Sequence, residues 1–187
     1  PAPLLEIVAA QKRGEARGIV SACTAQGEVL LAAMQQALAD GTVLLTEATC
    51  NQVNQYGGYT GLTPRNFADA LAELAQRAGL PQERILLGGD HLGPNPWRGE
   101  PTAQAMEKAS EMVAAYVRAG FRKIHLDASM PCADDQVLTP EIVARRAAQL
   151  QHHRQVLAAP AQGGQAAVGV GQALGQHRTV GQADDGQ

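Results

Sequence analysis

The segment Arg84-Ile85-Leu86-Leu87-Gly88-Gly89-Asp90-His91-Leu92-Gly93-Pro94-Asn95 reads as a buried strand that ends in a polar loop. Ile85, Leu86 and Leu87 form the short apolar run of a strand covered on both faces. Gly88, Gly89, Gly93 and Pro94 then break regular structure within a few residues. Asp90 and His91 stand side by side at the exit. Such a pair serves as proton donor and metal ligand, or it hydrogen-bonds to neighbouring backbone, and the two residues alone do not choose between these uses.

The same unit recurs on either side. Upstream, residues 3–16 read as a leading helix with Leu4, Leu5, Val8 and Ala9 on one face, followed by a strand over 18–24 and a helix over 28–40 that Gly41 stops. A second strand, 42–49, opens into a polar loop, 50–62, that holds Asn51, Gln52, Asn54, Gln55, Tyr56, Tyr59 and three glycines. Thr63-Pro64 supplies an N-cap and a first helical residue, and Phe67, Ala70, Leu71, Leu74, Ala75 and Ala78 line the helix that Gly79 and Pro81 close. Downstream, the loop continues through Trp97 to a helix over 101–119, and a fourth strand follows over 123–129. There Ile124, Leu126 and Ala128 face one way, and His125, Asp127 and Ser129 face the other, because side chains alternate across a strand. Thr139-Pro140 then repeats the helix start.

Four alternations of strand and helix argue for parallel strands joined by right-handed crossovers. A (β/α) barrel and a doubly wound sheet both satisfy that order. Ser21 and Cys23, Glu47 and Thr49, Asp90 and His91, and Asp127 and Ser129 all fall at C-terminal strand ends. In a barrel those ends share one mouth, whereas an open sheet scatters them, so the expectation is a TIM-type barrel of which only the first four β/α units are present. Half a barrel leaves its first and fourth strands with unpaired edges and its inward face uncovered, which predicts poor solubility or self-association unless the tail or a partner covers those edges. No G-x-G-x-x-G or G-x-x-x-x-G-K-[ST] loop is found, which weakens nucleotide-binding readings.

Composition narrows the field further. A chain of 187 residues, 45% hydrophobic, is long enough for one domain with a sizeable core. A net charge of -3 without a basic run gives no footprint for nucleic acid, and no run of about 18 apolar residues is present to span a membrane. Cys23, Cys50 and Cys132 follow no zinc spacing and no secretory signal precedes them, which reads as a reducing cytoplasm.

Three segments carry a resemblance: 47–61 (EATCNQVNQYGGYTG), 87–95 (LGGDHLGPN) and 119–130 (AGFRKIHLDASM). Together they resemble the non-catalytic subunit family of class II D-tagatose-1,6-bisphosphate aldolase, some members of which carry the label tagatose-6-phosphate kinase. The resemblance covers about residues 4–150. It implies a TIM barrel, a role in galactitol, N-acetylgalactosamine or tagatose catabolism, and a catalytic aldolase subunit as the partner to be stabilised and activated. The alternative is an enzyme acting on a phosphorylated ketohexose, either a zinc aldolase or the labelled kinase; the kinase finds no phosphate-gripping glycine loop here.

The family is also distantly similar to the class II aldolases themselves. There a strand-ending Asp-His gives a proton donor and one zinc ligand, which places catalysis at Asp90 and zinc at His91, and two further histidines come from later strands. With those strands absent, no three-ligand site is expected, and His125 is expected to be a hydrogen-bonded core residue below the mouth. Glu47, Asn51, Asn54, Asn95, Asp127 and Ser129 are the candidates for binding a phosphorylated sugar. Asp127 serves equally as a turn cap, the 50–62 loop equally as a contact surface, and Glu47 needs a cationic partner if buried.

The tail departs from this pattern. Residues 151–187 are rich in Gln, Gly, His and Ala and contain no Ile, Phe, Tyr or Trp. The expected organisation is a half-barrel over 1–150 and a low-complexity tail, disordered or translated out of frame from a truncated coding sequence, in which His152, His153 and His177 are incidental.

Overall fold

In the computed structural model, residues 2–157 and 168–169 are described. They form α1 (Ala2–Lys12), β1 (Ser21–Cys23), α2 (Gly27–Ala39), β2 (Leu44–Thr49), α3 (Pro64–Ala78), β3 (Ile85–Leu92), α4 (Thr102–Arg118), β4 (Lys123–Leu126), α5 (Pro140–Leu157) and β5 (Val168–Gly169). The five strands make one sheet in the order β1-β2-β3-β4-β5, with every pair parallel.

Sequential parallel order has a geometric consequence. Right-handed crossovers between neighbours carry each connecting helix to the same side of the sheet. Consistent with one helical layer, α2 packs on α3, α3 on α4 and α4 on α5. The core lies between that layer and the sheet face carrying Leu44, Ala48, Ile124 and Leu126, with Met34, Phe67, Leu71, Met112 and Tyr116 among its buried side chains. Tyr116 and Phe121 meet edge to face with ring centroids 4.6 Å apart. Because strand side chains alternate, the opposite face receives Glu47, Asp90, Lys123 and His125.

Local rules explain the helix ends. The Thr63 side chain accepts from the Asn66 amide ahead of Pro64, and Gly79 ends α3 at φ 72°. Thr139 repeats the cap, accepting from Ile142 at 3.4 Å. The leading helix differs from expectation: Leu5 and Val8 face solvent, and Ala10 is the residue fully buried.

The opening segment needs a larger correction. Gly88 and Gly89 do not end the strand; β3 runs through them to Leu92, with Glu47 opposite Gly88 and Thr49 opposite Asp90. Here glycine makes room. A Cβ at Gly88 would lie 2.8 Å from Glu47 Cγ and 3.0 Å from Leu45 Cδ1, and one at Gly89 would meet Leu92 at 2.6 Å. The break comes instead as a register shift between Gly89 and Leu92, where His91 takes φ 49°. Beyond it, Gly93 lies so close to β4's exit that a Cβ would sit 1.6 Å from the Asp127 carbonyl oxygen.

Regular structure also continues past residue 150. Helix α5 runs to Leu157, and β5 pairs with β4 through Ile124–Val168 and His125–Gly169. The rest of the expected tail, 158–167 and 170–187, lies outside the described residues.

Candidate functional site

The polar face is assembled from four strands. Glu47 on β2 is 5% exposed, and its carboxylate accepts from Ser21 Oγ of β1 and from Lys123 Nζ of β4. Lys123 is therefore the cation that a buried Glu47 requires. The ammonium also lies 3.3 Å from Asp90 Oδ1, and His125 Nδ1 lies 2.9 Å from the same oxygen. The other Asp90 oxygen receives Cys23 Sγ at 3.7 Å. One carboxylate on β3 thus joins β1 and β4.

At the rim, His91 Nδ1 lies 3.0 Å from Asp127 Oδ2 and its Nε2 lies 3.8 Å from Asp90 Oδ2. The His91 and His125 rings tilt against one another, centroids 4.5 Å apart. Asp127 Oδ1 accepts from the Ser129 amide at 2.9 Å and hydroxyl at 2.6 Å. Of the two uses foreseen for Asp127, the turn cap is the one the geometry shows, and its other oxygen faces the His91 imidazole.

These contacts set the electrostatics. Burial on its own would raise the Asp90 carboxyl, but the His125 hydrogen bond and the Lys123 charge outweigh it and hold Asp90 below its ordinary value. Asp127 behaves in the same way, with His91 and Ser129 overcoming burial. Burial, with Asp90 and Glu47 nearby, pushes the Cys23 thiol up to about 11, so it stays a neutral donor at pH 7.

The loop candidates are placed differently. Asn54 is buried and its capacity goes into the loop: Nδ2 donates to the Cys50 carbonyl, and Oδ1 accepts from the Tyr56 and Gly58 amides. Asn51 is exposed, and its carbonyl accepts from the Tyr59 amide. Asn95 opens a 3-10 turn ending at Trp97, whose ring meets Tyr56 edge-on at 6.0 Å. Tyr116, fully buried, donates to the Val53 carbonyl at 2.9 Å and anchors the loop's base. Glu47, Asp90, His91, Asp127 and Ser129 are thus brought together, whereas Asn54 belongs to the loop's own framework.

One residue, Lys123, escapes the sequence reading, whereas His125 is hydrogen-bonded as expected, to Asp90, and keeps 23% of its side chain exposed. The signal was present: positions 123, 125, 127 and 129 alternate with the apolar set.

A helical layer packed along a sequentially ordered parallel sheet, with polar groups gathered toward the strand ends, defines a parallel α/β protein whose site is built from four neighbouring strands. Residues 4–171 match the family described as D-tagatose-1,6-bisphosphate aldolase subunit GatZ/KbaZ-like. The chain belongs to that family. It is 56% identical over 146 residues to D-tagatose-1,6-bisphosphate aldolase subunit GatZ of Salmonella heidelberg (strain SL476), covering 78% of this chain and 34% of the relative. The GatZ subunit of Salmonella dublin is 55% identical over the same length. A solved structure from Sinorhizobium meliloti 1021, described as a probable tagatose 6 phosphate kinase, superposes with TM-score 0.73 at 50% identity, over 75% of this chain and 37% of that one. The chain spans about a third of the length of the relatives it matches.

The zinc implied by the aldolase resemblance can be tested against the donors present. Asp90, His91 and His125 offer one ligand atom each, all within 4.8 Å of one another. The two histidines expected from later strands are not part of this grouping, which draws its second imidazole from His125 on β4. Two imidazoles and a carboxylate are a donor set that suits zinc.

Proposed function

We propose that the chain is the N-terminal part of a non-catalytic subunit that stabilises and activates a catalytic tagatose-bisphosphate aldolase subunit, in cytoplasmic breakdown of galactitol, N-acetylgalactosamine or tagatose. The observation that carries this reading is the state of Asp90. A general acid needs a free face toward substrate, yet Asp90 is held by Lys123, His125 and Cys23 of its own chain. The residues that resemble catalytic ones here tie strands together. The relatives' own description as aldolase subunits agrees.

Residues 1–150 are read as the first half of a (β/α)8 barrel. A closed barrel needs eight such units in about 250 residues. The ordered sheet and its single helical layer support this reading. Resequencing the gene across the codons for residues 148–155 tests the out-of-frame origin of the tail; the family match reaches residue 171. No described helix is long and apolar enough to cross a membrane.

The decisive experiment co-expresses this chain, and separately a full-length relative, with the catalytic aldolase subunit. The expected result is co-purification and a longer half-life of aldolase activity on heating. The second reading, an enzyme acting on a phosphorylated ketohexose with Glu47, Asp127 and Ser129 holding the sugar, is favoured by the His91–His125–Asp90 grouping. Aldol cleavage by the isolated full-length relative would establish it in place of the first.

A further inference from the structure

We infer that the loop 50–62, with the Asn95–Trp97 turn beside it, is the surface on which the catalytic aldolase subunit docks, with Tyr56 and Tyr59 as the anchoring side chains. This rests on the subunit reading above and adds to it the place of contact and its chemistry: two tyrosine rings received by an uncharged hollow on the partner.

The first observation is where the aromatic side chains go. The chain has three tyrosines, one tryptophan and two phenylalanines. Tyr116, Phe67 and Phe121 are buried in the core. The other three lie in the loops that leave β2 and β3: Tyr56 and Tyr59 are 64% and 74% exposed, and Trp97, half-buried, meets Tyr56 edge-on. Exposed rings grouped at one place, rather than scattered singly, mark an interaction site, and tyrosine and tryptophan are the side chains that anchor protein contacts.

Charge is the second. Segment 50–62 carries no charged side chain, in a chain that is 18% charged. Interface cores are depleted of charge because each buried ion must be desolvated, whereas tyrosine, asparagine and glycine supply contact area and adaptable hydrogen bonds at low cost. A phosphorylated sugar calls instead for a cation or a nest of free amides. The loop has no cation, and its amides are already engaged: Gly57 donates to the Asn54 carbonyl, Gly58 to Asn54 Oδ1 and Tyr59 to the Asn51 carbonyl.

Third, the loop is fastened from three sides. Tyr116 donates to the Val53 carbonyl from the core, Gln55 Nε2 donates to the Lys108 carbonyl on α4 at 2.9 Å, and the Thr60 hydroxyl donates to the Gln52 carbonyl at 2.7 Å. A lid works by moving, which these bonds oppose. A docking surface gains from the same bonds, because a preorganised loop loses little freedom on contact.

The fourth observation is position. β2 and β3 are interior strands of the sheet, flanked by β1 and β4. The further strands of a longer relative add at the sheet's edges, at least one strand away from this patch, which leaves the two rings to a separate chain.

The test titrates the purified full chain with the catalytic subunit and reads Kd by calorimetry, with thermal unfolding in parallel. Tyr56→Ala and Tyr59→Ala are each expected to raise Kd about tenfold or more without lowering Tm, since both side chains are exposed. Leu5→Ala, at an exposed apolar side chain on α1, changes neither. Should Tyr56→Ala lower Tm through its contact with Trp97, Tyr59→Ala decides. Binding that survives both tyrosine substitutions overturns the inference and leaves the subunit reading intact, whereas no binding by the wild-type chain removes both. A titration with D-tagatose 1,6-bisphosphate separates ligand from protein contact: sugar binding lost in Tyr59→Ala, with subunit binding kept, also overturns the inference.

Discussion

Lys123 holds the polar face together. Its ammonium lies between Glu47, with only 6% of its side chain exposed, and Asp90, while a fifth of its own side chain reaches solvent. Removing one partner of a buried pair leaves the other charged and desolvated, which costs more than the pair contributed. Lys123→Ala is therefore expected to destabilise by about 3 kcal/mol, the low end for such pairs given the lysine's partial exposure. Glu47→Gln removes the charge along with the bond and costs closer to about 1 kcal/mol, since Lys123 retains Asp90. Urea unfolding of the two variants gives the comparison; equal losses would show that Glu47 is not desolvated in the fold.

At the scale of elements, the segment between β4 and α5 is fastened by Arg146. Its guanidinium meets Asp135 at 2.6 Å and 2.9 Å and donates to Thr102 Oγ1 at 3.0 Å, which joins α5 to that segment and to the start of α4. The Arg146 hydrogen bonds and the Cys132 amide hold the Asp135 carboxyl below its ordinary 3.8. A carboxyl lowered by folding stabilises the fold above its unfolded pKa, and that stability is lost as pH falls through the lower folded value. Asp135→Asn should flatten the fall in stability below about pH 4, leaving the shares of Asp90 and Asp127, which act in the same direction. Unfolding midpoints on either side of that pH measure the difference.

Element placement was largely legible because caps, glycine stops and alternation are local rules: Thr63, Gly79 and the apolar set of β4 all behave as their neighbours dictate. Gly88 and Gly89 misled because glycine marks both a break and a close approach. Only the position of Glu47 and Leu45 on the adjacent strand distinguishes the two. Lys123 stayed hidden for the same reason, since its partners are 33 and 76 residues away in sequence.

For the molecule as a whole, the sheet's edge at β1 is the exposed flank. β1 is three residues long and pairs only with β2 among the described residues, and Val20 just before it is 71% exposed. An unpaired edge beside an apolar side chain is a template for another strand. The chain should therefore associate as its concentration rises, and Val20→Lys should reduce this without loss of stability, as light scattering and thermal unfolding would show. Association unchanged by Val20→Lys would place the contact elsewhere.

The turn of backbone at His91 has a consequence for how this position would drift. Left-handed φ favours glycine, and asparagine, aspartate and histidine are the side chains that enter it most readily, so the main chain alone does not single out histidine there. A randomised library at position 91 selected for folding alone should drift toward His91→Asn and His91→Gly. Selected at a higher temperature, the same library should return to histidine, whose bond to Asp127 fastens the exit of β3 to that of β4, separating what the backbone tolerates from what the side chain adds.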